Sequence, residues 1–220
     1  LEEMLFRFRP SSRFTGNIHF DGSEAIHDRI IGRSGGFRKA FAALLAAREK
    51  GFRVSTNTTV YRETDLEDLE ALFSQLTAAG VDGILVAPGF SYEAVSEEVF
   101  LTRREIMHKF ETIRQWEHRF PLISNPIYLD FVAGDRPLLC TPWGNPTRNA
   151  QGWKSPCYLI TDTHFPTYRE LMEQTNWDHY VSGEDPRCAQ CMVHCGFEPT
   201  VVLQMNGRDL LRMIKWNLYG

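Results

Sequence analysis

The chain has 220 residues, 43% hydrophobic and 24% charged, with a formal net charge of −4. Those are the proportions of an ordinary globular protein, long enough to bury a full core as one large domain or two modest ones. They give no basic footprint for nucleic acid, no apolar run is long enough to cross a bilayer, and no signal peptide is visible.

In chain order, residues 1–9 begin at Leu1 without a methionine, on the pattern Leu1-Glu-Glu-Met-Leu-Phe-Arg-Phe, and read as the end of a helix in something longer. Thr15 to Phe20 reads as a short strand ended by Asp21-Gly22, and a polar, glycine-bearing loop follows to Gly36. Phe37 to Lys50 is helical, with Phe37, Phe41, Leu44 and Leu45 on one face. Arg53 to Val60 is rich in β-branched residues and reads as a strand. Thr64-x-x-Glu67 is a capping box opening a helix with Leu66, Leu69, Leu72, Phe73 and Leu76 on its stripe, and Gly80 stops it. Gly83 to Pro88 is the continuous apolar run of a strand covered on both faces. A second box, Thr102-x-x-Glu105, opens a long helix to about Phe120.

Strands at intervals of roughly thirty residues, alternating with helices, predict a parallel βα array with functional loops at the strand C-termini. Three such units are too few to close a barrel and leave a strand edge. After Phe120 the rhythm stops. Asn125-Pro126 opens a short helix to Val132. A segment dense in proline and glycine follows, then a helix over Phe165 to Gln174 with Thr167-x-x-Glu170 as its cap, and a helical tail from Arg208 to Tyr219. The fold class is therefore α/β, a βα part over residues 1–120 followed by an irregular cysteine-rich extension over 121–220.

All five cysteines lie in that extension: Cys140, Cys157, Cys188, Cys191 and Cys195. An odd number without a secretory signal favours metal binding over a disulfide framework. Soft thiolates favour zinc or an iron–sulfur cluster. Cys188-x2-Cys191 places two sulfurs on one turn, and Cys140 and Cys157 supply two more, with Cys195 able to replace one of them. A zinc knot without chemistry, and thiols that bind no metal, fit the spacing as well.

Longer motifs carry a resemblance. Asn17-Ile-His-Phe-Asp21-Gly22-Ser-Glu24-Ala-Ile-His27-Asp28, followed by Arg53-Val-Ser-Thr-Asn57-Thr-Thr, resembles the later strands of a radical SAM barrel. Cys140-x11-Gly152-x4-Cys157 with Cys188-x2-Cys191 resembles the auxiliary-cluster signature of such enzymes. Cys140-Thr-Pro-Trp-Gly-Asn-Pro-Thr, Gly152-Trp, Trp177-Asp and Cys188-Ala-x-Cys191-Met-Val-His-Cys195-Gly-Phe-Glu-Pro-Thr200 are similar to the hopanoid-biosynthesis branch, the adenosyl-hopene transferases.

The resemblance implies a partial (β/α) radical SAM barrel and the cofactors S-adenosylmethionine and [4Fe-4S]. It implies SAM contacts from His19, Asp21, Arg33 and Asn57, and cluster ligands among the five cysteines. The implied activity is addition of the 5′-deoxyadenosyl radical to diploptene, giving adenosylhopane. The implied partners are a hydrophobic triterpenoid and an electron-donor protein, with no nucleic acid. The implied place is the cytoplasm, with membrane association open because hopene lives in a bilayer. The primary Cys-x3-Cys-x2-Cys and a Gly-Gly-Glu segment are absent, and Gly32 and Ser34 flank Arg33 where Cys and Glu are expected. The chain is thus expected to be the C-terminal two-thirds of such an enzyme, inactive alone. Phe90, Tyr92, Phe131, Trp143, Trp153 and Phe165 are candidates to wall an apolar substrate cavity.

Overall fold

A computed structural model describes residues 7–90 and 99–219. Residues 1–6 of the expected first helix, and Tyr92, lie outside the described residues. The chain divides into two compact units, one of residues up to 87 with 115–124, the other of 88–114 with 125–219. Residues 88–114 therefore cluster with the cysteine-rich segment, where the sequence placed them in the βα part.

The first unit is built on a parallel sheet. β1 (Thr15–His19) runs beside β2 (Arg53–Val60), Thr15 opposite Arg53 and His19 opposite Asn57, and β3 (Gly83–Pro88) completes the order β1-β2-β3. All three match the runs read from the sequence, because β-branched and continuous apolar stretches suit a covered sheet. Between the strands lie α1 (Glu24–Ile30), α2 (Gly36–Glu49) and α3 (Leu66–Ala78). The stripe of α3 buries Leu69, Leu72, Phe73 and Leu76 as its periodicity requires, and α2 buries Phe37, Leu44 and Ala47 while Leu45 faces solvent. The sheet continues past the expected end of the rhythm. Leu122 bridges to Ile84 in parallel, and the Ser124 hydroxyl both accepts from the Val86 N–H and donates to its carbonyl.

Two local readings of this unit need correction. The loop expected after Asp21 contains α1, a helix without an apolar stripe that buries only His27. It is held by Asp68, which accepts from the Ser23 N–H, while Asp28 accepts from the Gly35 and Phe37 N–H groups at the start of α2. The cap of α3 is Asp65, which accepts from the Glu67 and Asp68 N–H groups; Thr64 instead accepts from Tyr61 N–H one turn earlier.

The second unit contains α4 (Arg103–Gln115), opened by the expected Thr102–Glu105 pair. That helix stops at Gln115 and passes into a 3-10 turn at Trp116–His118 instead of running to Phe120. α5 (Pro126–Val132) begins, as expected, at an Asn125 side chain that accepts from Ile127 N–H. The cysteine segment then forms an antiparallel sheet that the sequence did not reveal, β4 (Arg148–Asn149), β5 (Gly152–Pro156) and β6 (Thr161–Phe165). Phe165 thus ends a strand, and α6 (Tyr168–Gln174) starts after a complete Thr167–Glu170 capping box. α7 (Trp177–Val181), α8 (His194–Leu203) and α9 (Gly207–Tyr219) follow. Among the described residues no helix is long and apolar enough to cross a membrane.

Candidate functional site

In the first unit the C-terminus of β1, beside the middle of β2, brings three of the four expected SAM contacts together. The parallel register sets His19 beside Asn57, whose amide nitrogen lies 2.7 Å from His19 Nδ1. His19 Nε2 lies 2.5 Å from Asp21 Oδ2, and Asp21 Oδ1 accepts from Thr59 N–H at 2.9 Å. Asp21 is buried, with both oxygens engaged inside the protein, so it acts on the site through His19. The hydrogen bond to Asp21 raises the His19 pKa above its ordinary value, against the opposing pull of burial. His27 lies beneath, its Nδ1 accepting from Asp21 N–H, and burial lowers its pKa. Of these four side chains, His19 and Asn57 keep surface toward solvent, while Asp21 and His27 are buried. Arg33 sits apart on the exposed turn between α1 and α2, with no ion pair among the described residues. The sequence alone did not anticipate Thr59 and His27.

In the second unit the five cysteines line one cavity. Cys140 precedes the 3-10 turn Pro142–Gly144, and its neighbour Thr141 is pinned to α8 through its N–H to the Gly196 carbonyl and its hydroxyl to Thr200. A Cβ on Gly196 would stand 2.5 Å from Cys140 Sγ, so the absent side chain is what admits that sulfur. Cys157 follows β5, and its sulfur accepts the Ile160 N–H at 3.4 Å. Gly152, where β5 starts, has φ of +134°, and a Cβ there would meet the Phe165 carbonyl oxygen at 2.6 Å. Glycine is required there for backbone reasons. Cys188 closes the turn Pro186–Cys188 and its carbonyl accepts from Cys191 N–H, which sets both thiols on one tight turn. Cys195 lies in the first turn of α8.

Among the described residues no charged side chain lines this cavity; its other walls include Phe90, Phe197 and Tyr180. All five thiols are free. Burial, with the charge of neighbouring thiols adding to it, pushes Cys191 up to about 12 and raises Cys140 and Cys195 further. Burial, then the nearby Asp185, pushes Cys188 up to about 11. A bound soft cation reverses that balance by stabilising thiolates. Among the described residues no three His, Cys, Asp or Glu side chains are grouped to hold a single metal ion. The five cysteines share the lining of one cavity instead, and thiolates are the ligands an iron–sulfur cluster takes.

The Cys188 turn is braced by a network the sequence did not single out. Arg187 forks onto Asp162 at 2.6 and 2.8 Å and onto Asp185 at 2.6 Å, while Tyr180 donates to Asp162. The Arg187 fork holds the Asp185 carboxyl down at about 2. Beside Cys195, His194 Nδ1 is buried with no hydrogen-bond partner among the described residues. Of the aromatic residues expected to wall an apolar cavity, Phe90 does so. Phe131 stacks on Phe197 in the core at 4.4 Å, Trp143 packs on Trp177, Trp153 on Tyr168, and Phe165 is taken up by β6. These rings pack against partners, as most large aromatic side chains do.

Residues 84–216, more than half of the chain, match the family model described as "Domain of unknown function (DUF3463)". No curated protein matches. Among solved structures the chain is similar to polyhistidine-tagged anSMEcpe with bound AdoMet, at 15% identity and a TM-score of 0.53, over 82% of this chain and 54% of that one. It is similar also to native anSMEcpe with bound AdoMet and the Cp18Cys peptide, at 12% identity and a TM-score of 0.54, over 100% of this chain and 73% of that one. The chain spans about half the length of the first. Both are radical SAM enzymes, and at these identities the likeness is one of fold.

Proposed function

We propose that this chain, a member of the DUF3463 family, is part of a radical SAM enzyme whose cysteine-rich unit holds an auxiliary iron–sulfur cluster. The observation that carries the reading is the convergence of all five cysteines on one cavity with no charged wall among the described residues. The shared fold with SAM-binding neighbours adds to it. The choice of cluster over zinc rests on the resemblance of the Cys140-x11-Gly152-x4-Cys157 and Cys188-x2-Cys191 spacing to an auxiliary-cluster signature.

When bound, such a cluster supplies one-electron chemistry, fed by an electron-donor protein. The rest falls to side chains. Asp21 fixes the His19 ring, and His19 and Asn57 would present polar edges to SAM, with Arg33, on its exposed turn, as the partner for the SAM carboxylate. The reaction we assign, from the Cys140–Thr200 motifs, is one in which one-electron cleavage of the SAM C5′–S bond would release methionine and the 5′-deoxyadenosyl radical would add to the alkene of diploptene. A hydrogen atom, or an electron from the donor protein with a proton, would quench the adduct, in the cytoplasm and against a membrane that stores the triterpenoid. Cleavage of SAM needs a Cys-x3-Cys-x2-Cys site, which this sequence lacks, so the chain alone is expected to release no 5′-deoxyadenosine.

The test is anaerobic purification after loading with iron and sulfide. The expected product is brown, with iron and labile sulfide in near-equal amounts. One zinc per chain without labile sulfide would sink the cluster.

A further inference from the structure

Helix α9 is built inside out. On a 3.6-residue turn Leu210, Leu211, Ile214 and Leu218 fall within about 100° of one another, and such a stripe ordinarily faces a core. Here it faces solvent, with Leu211 69% and Leu218 68% exposed, Leu210 50% and Ile214 47%. The side turned inward carries Asp209, buried on Arg136 at 2.8 Å, and Arg212, bonded to Asp130 of α5, with Met213 and Trp216 half-buried beside them. Ion pairs and these two side chains fasten the helix, leaving its leucine stripe free. Val202 and Leu203, at the end of the preceding helix, are exposed as well.

The charge around the stripe selects a partner. Arg208 and Lys215 lie along one edge of it, exposed and without an ion pair among the described residues. The only acidic residue of α9 is Asp209, turned inward and neutralised by Arg136. In a chain of net charge −4 this face is apolar and cationic. We infer that α9 is a membrane-docking helix that lies in the interface of an anionic bilayer, Leu211 and Leu218 entering the acyl boundary and Arg208 and Lys215 meeting lipid phosphates. An outward apolar stripe with basic flanks on a helix too short to span is the pattern of an interfacial helix. A second copy packed antiparallel would set the basic edges of the two helices against each other, and a dimer of either sense on this face is an outcome of the test. The inference goes beyond the cluster reading and does not depend on it, since neither metal nor SAM enters the docking.

The test is co-sedimentation of the full chain, after loading with iron and sulfide as well as before it, with vesicles of phosphatidylglycerol and phosphatidylcholine in equal parts, compared with phosphatidylcholine alone. Binding is expected to the anionic vesicles and to weaken with salt. Leu211→Asp with Leu218→Asp should lower partitioning by about ten-fold or more, and Arg208→Glu with Lys215→Glu by roughly five-fold per charge. Should the aspartate pair unfold the chain, as a melting curve will show, Leu211→Ser carries the same test. The inference is overturned by any of three results: no binding to anionic vesicles, binding that these changes leave intact, or a lipid-independent dimer that the aspartate pair dissolves.

Discussion

The two units solve the same problem in opposite ways. In the first, the polar groups at the strand ends satisfy one another. His19 has a partner on each ring nitrogen, and each Asp21 oxygen has one too. That site is complete as protein and can be built by folding alone. In the second, five thiols line a cavity with no charged side chain among the described residues, and burial above all raises the pKa of four of them. Such a wall gains most from a cation brought from outside. One region is organised by its sheet, the other around a space.

The largest expected effect breaks that contrast at its centre. Cys191→Ser removes a sulfur from the shared turn, and metal content after loading should fall by more than about ten-fold. Chelation of the loaded wild type should loosen the same segment, because metal binding and folding are linked in small metal-organised units. Amide exchange separates the units: protection should be lost over 140–195 and kept in β1 and β2. Equal loss in both would erase the distinction. Gly196→Ala probes the same cavity more gently. A methyl there meets Cys140 Sγ, so it should cost about 1–3 kcal/mol as an overpacked site and weaken metal loading, while Gly207→Ala, with nothing near its Cβ position and no left-handed φ, should leave loading unchanged.

The same contrast explains what could be read in advance. β2 and β3 were legible to the residue because their apolar and β-branched runs are local signals. The caps at Asn125 and Thr167 were legible because a cap is chemistry within four residues. Thr64 failed by one position, since Asp65 offers the same acceptor geometry and the stronger acceptor captured the N–H groups. α1 has no apolar stripe; it is held by Asp68 from 45 residues away, so its own residues do not announce it. β4 to β6 are short, broken by Gly152 and Pro156, and stabilised by pairing across the sheet. The cysteines were legible as candidates by spacing. Their meeting on one cavity depends on contacts between β5, the 186–188 turn and α8 that no local pattern encodes.

The smallest effect tests the self-sufficient site. Asp21→Asn takes the carboxylate from His19 and leaves the Thr59 N–H with a weaker acceptor, a change worth about 2 kcal/mol for a charge-assisted hydrogen bond. Its pH dependence is the sharper signature. Because Asp21 raises the His19 pKa, the protonated ring is favoured in the folded chain. The stability this gives is fully present below the ordinary histidine value near 6.5 and is lost as pH rises through the raised value. The gap between wild type and Asp21→Asn should therefore be widest in mild acid and narrow toward alkaline pH, leaving only the pH-independent loss at Thr59. Urea unfolding followed from about pH 5.5 to 9 measures it. A gap that is constant with pH would mean that His19 stays neutral throughout, with Nε2–H donated to Asp21 and Nδ1 accepting from Asn57. The ring would then be a fixed hydrogen-bonding spacer between the two strands, in place of a charge held ready for a ligand carboxylate.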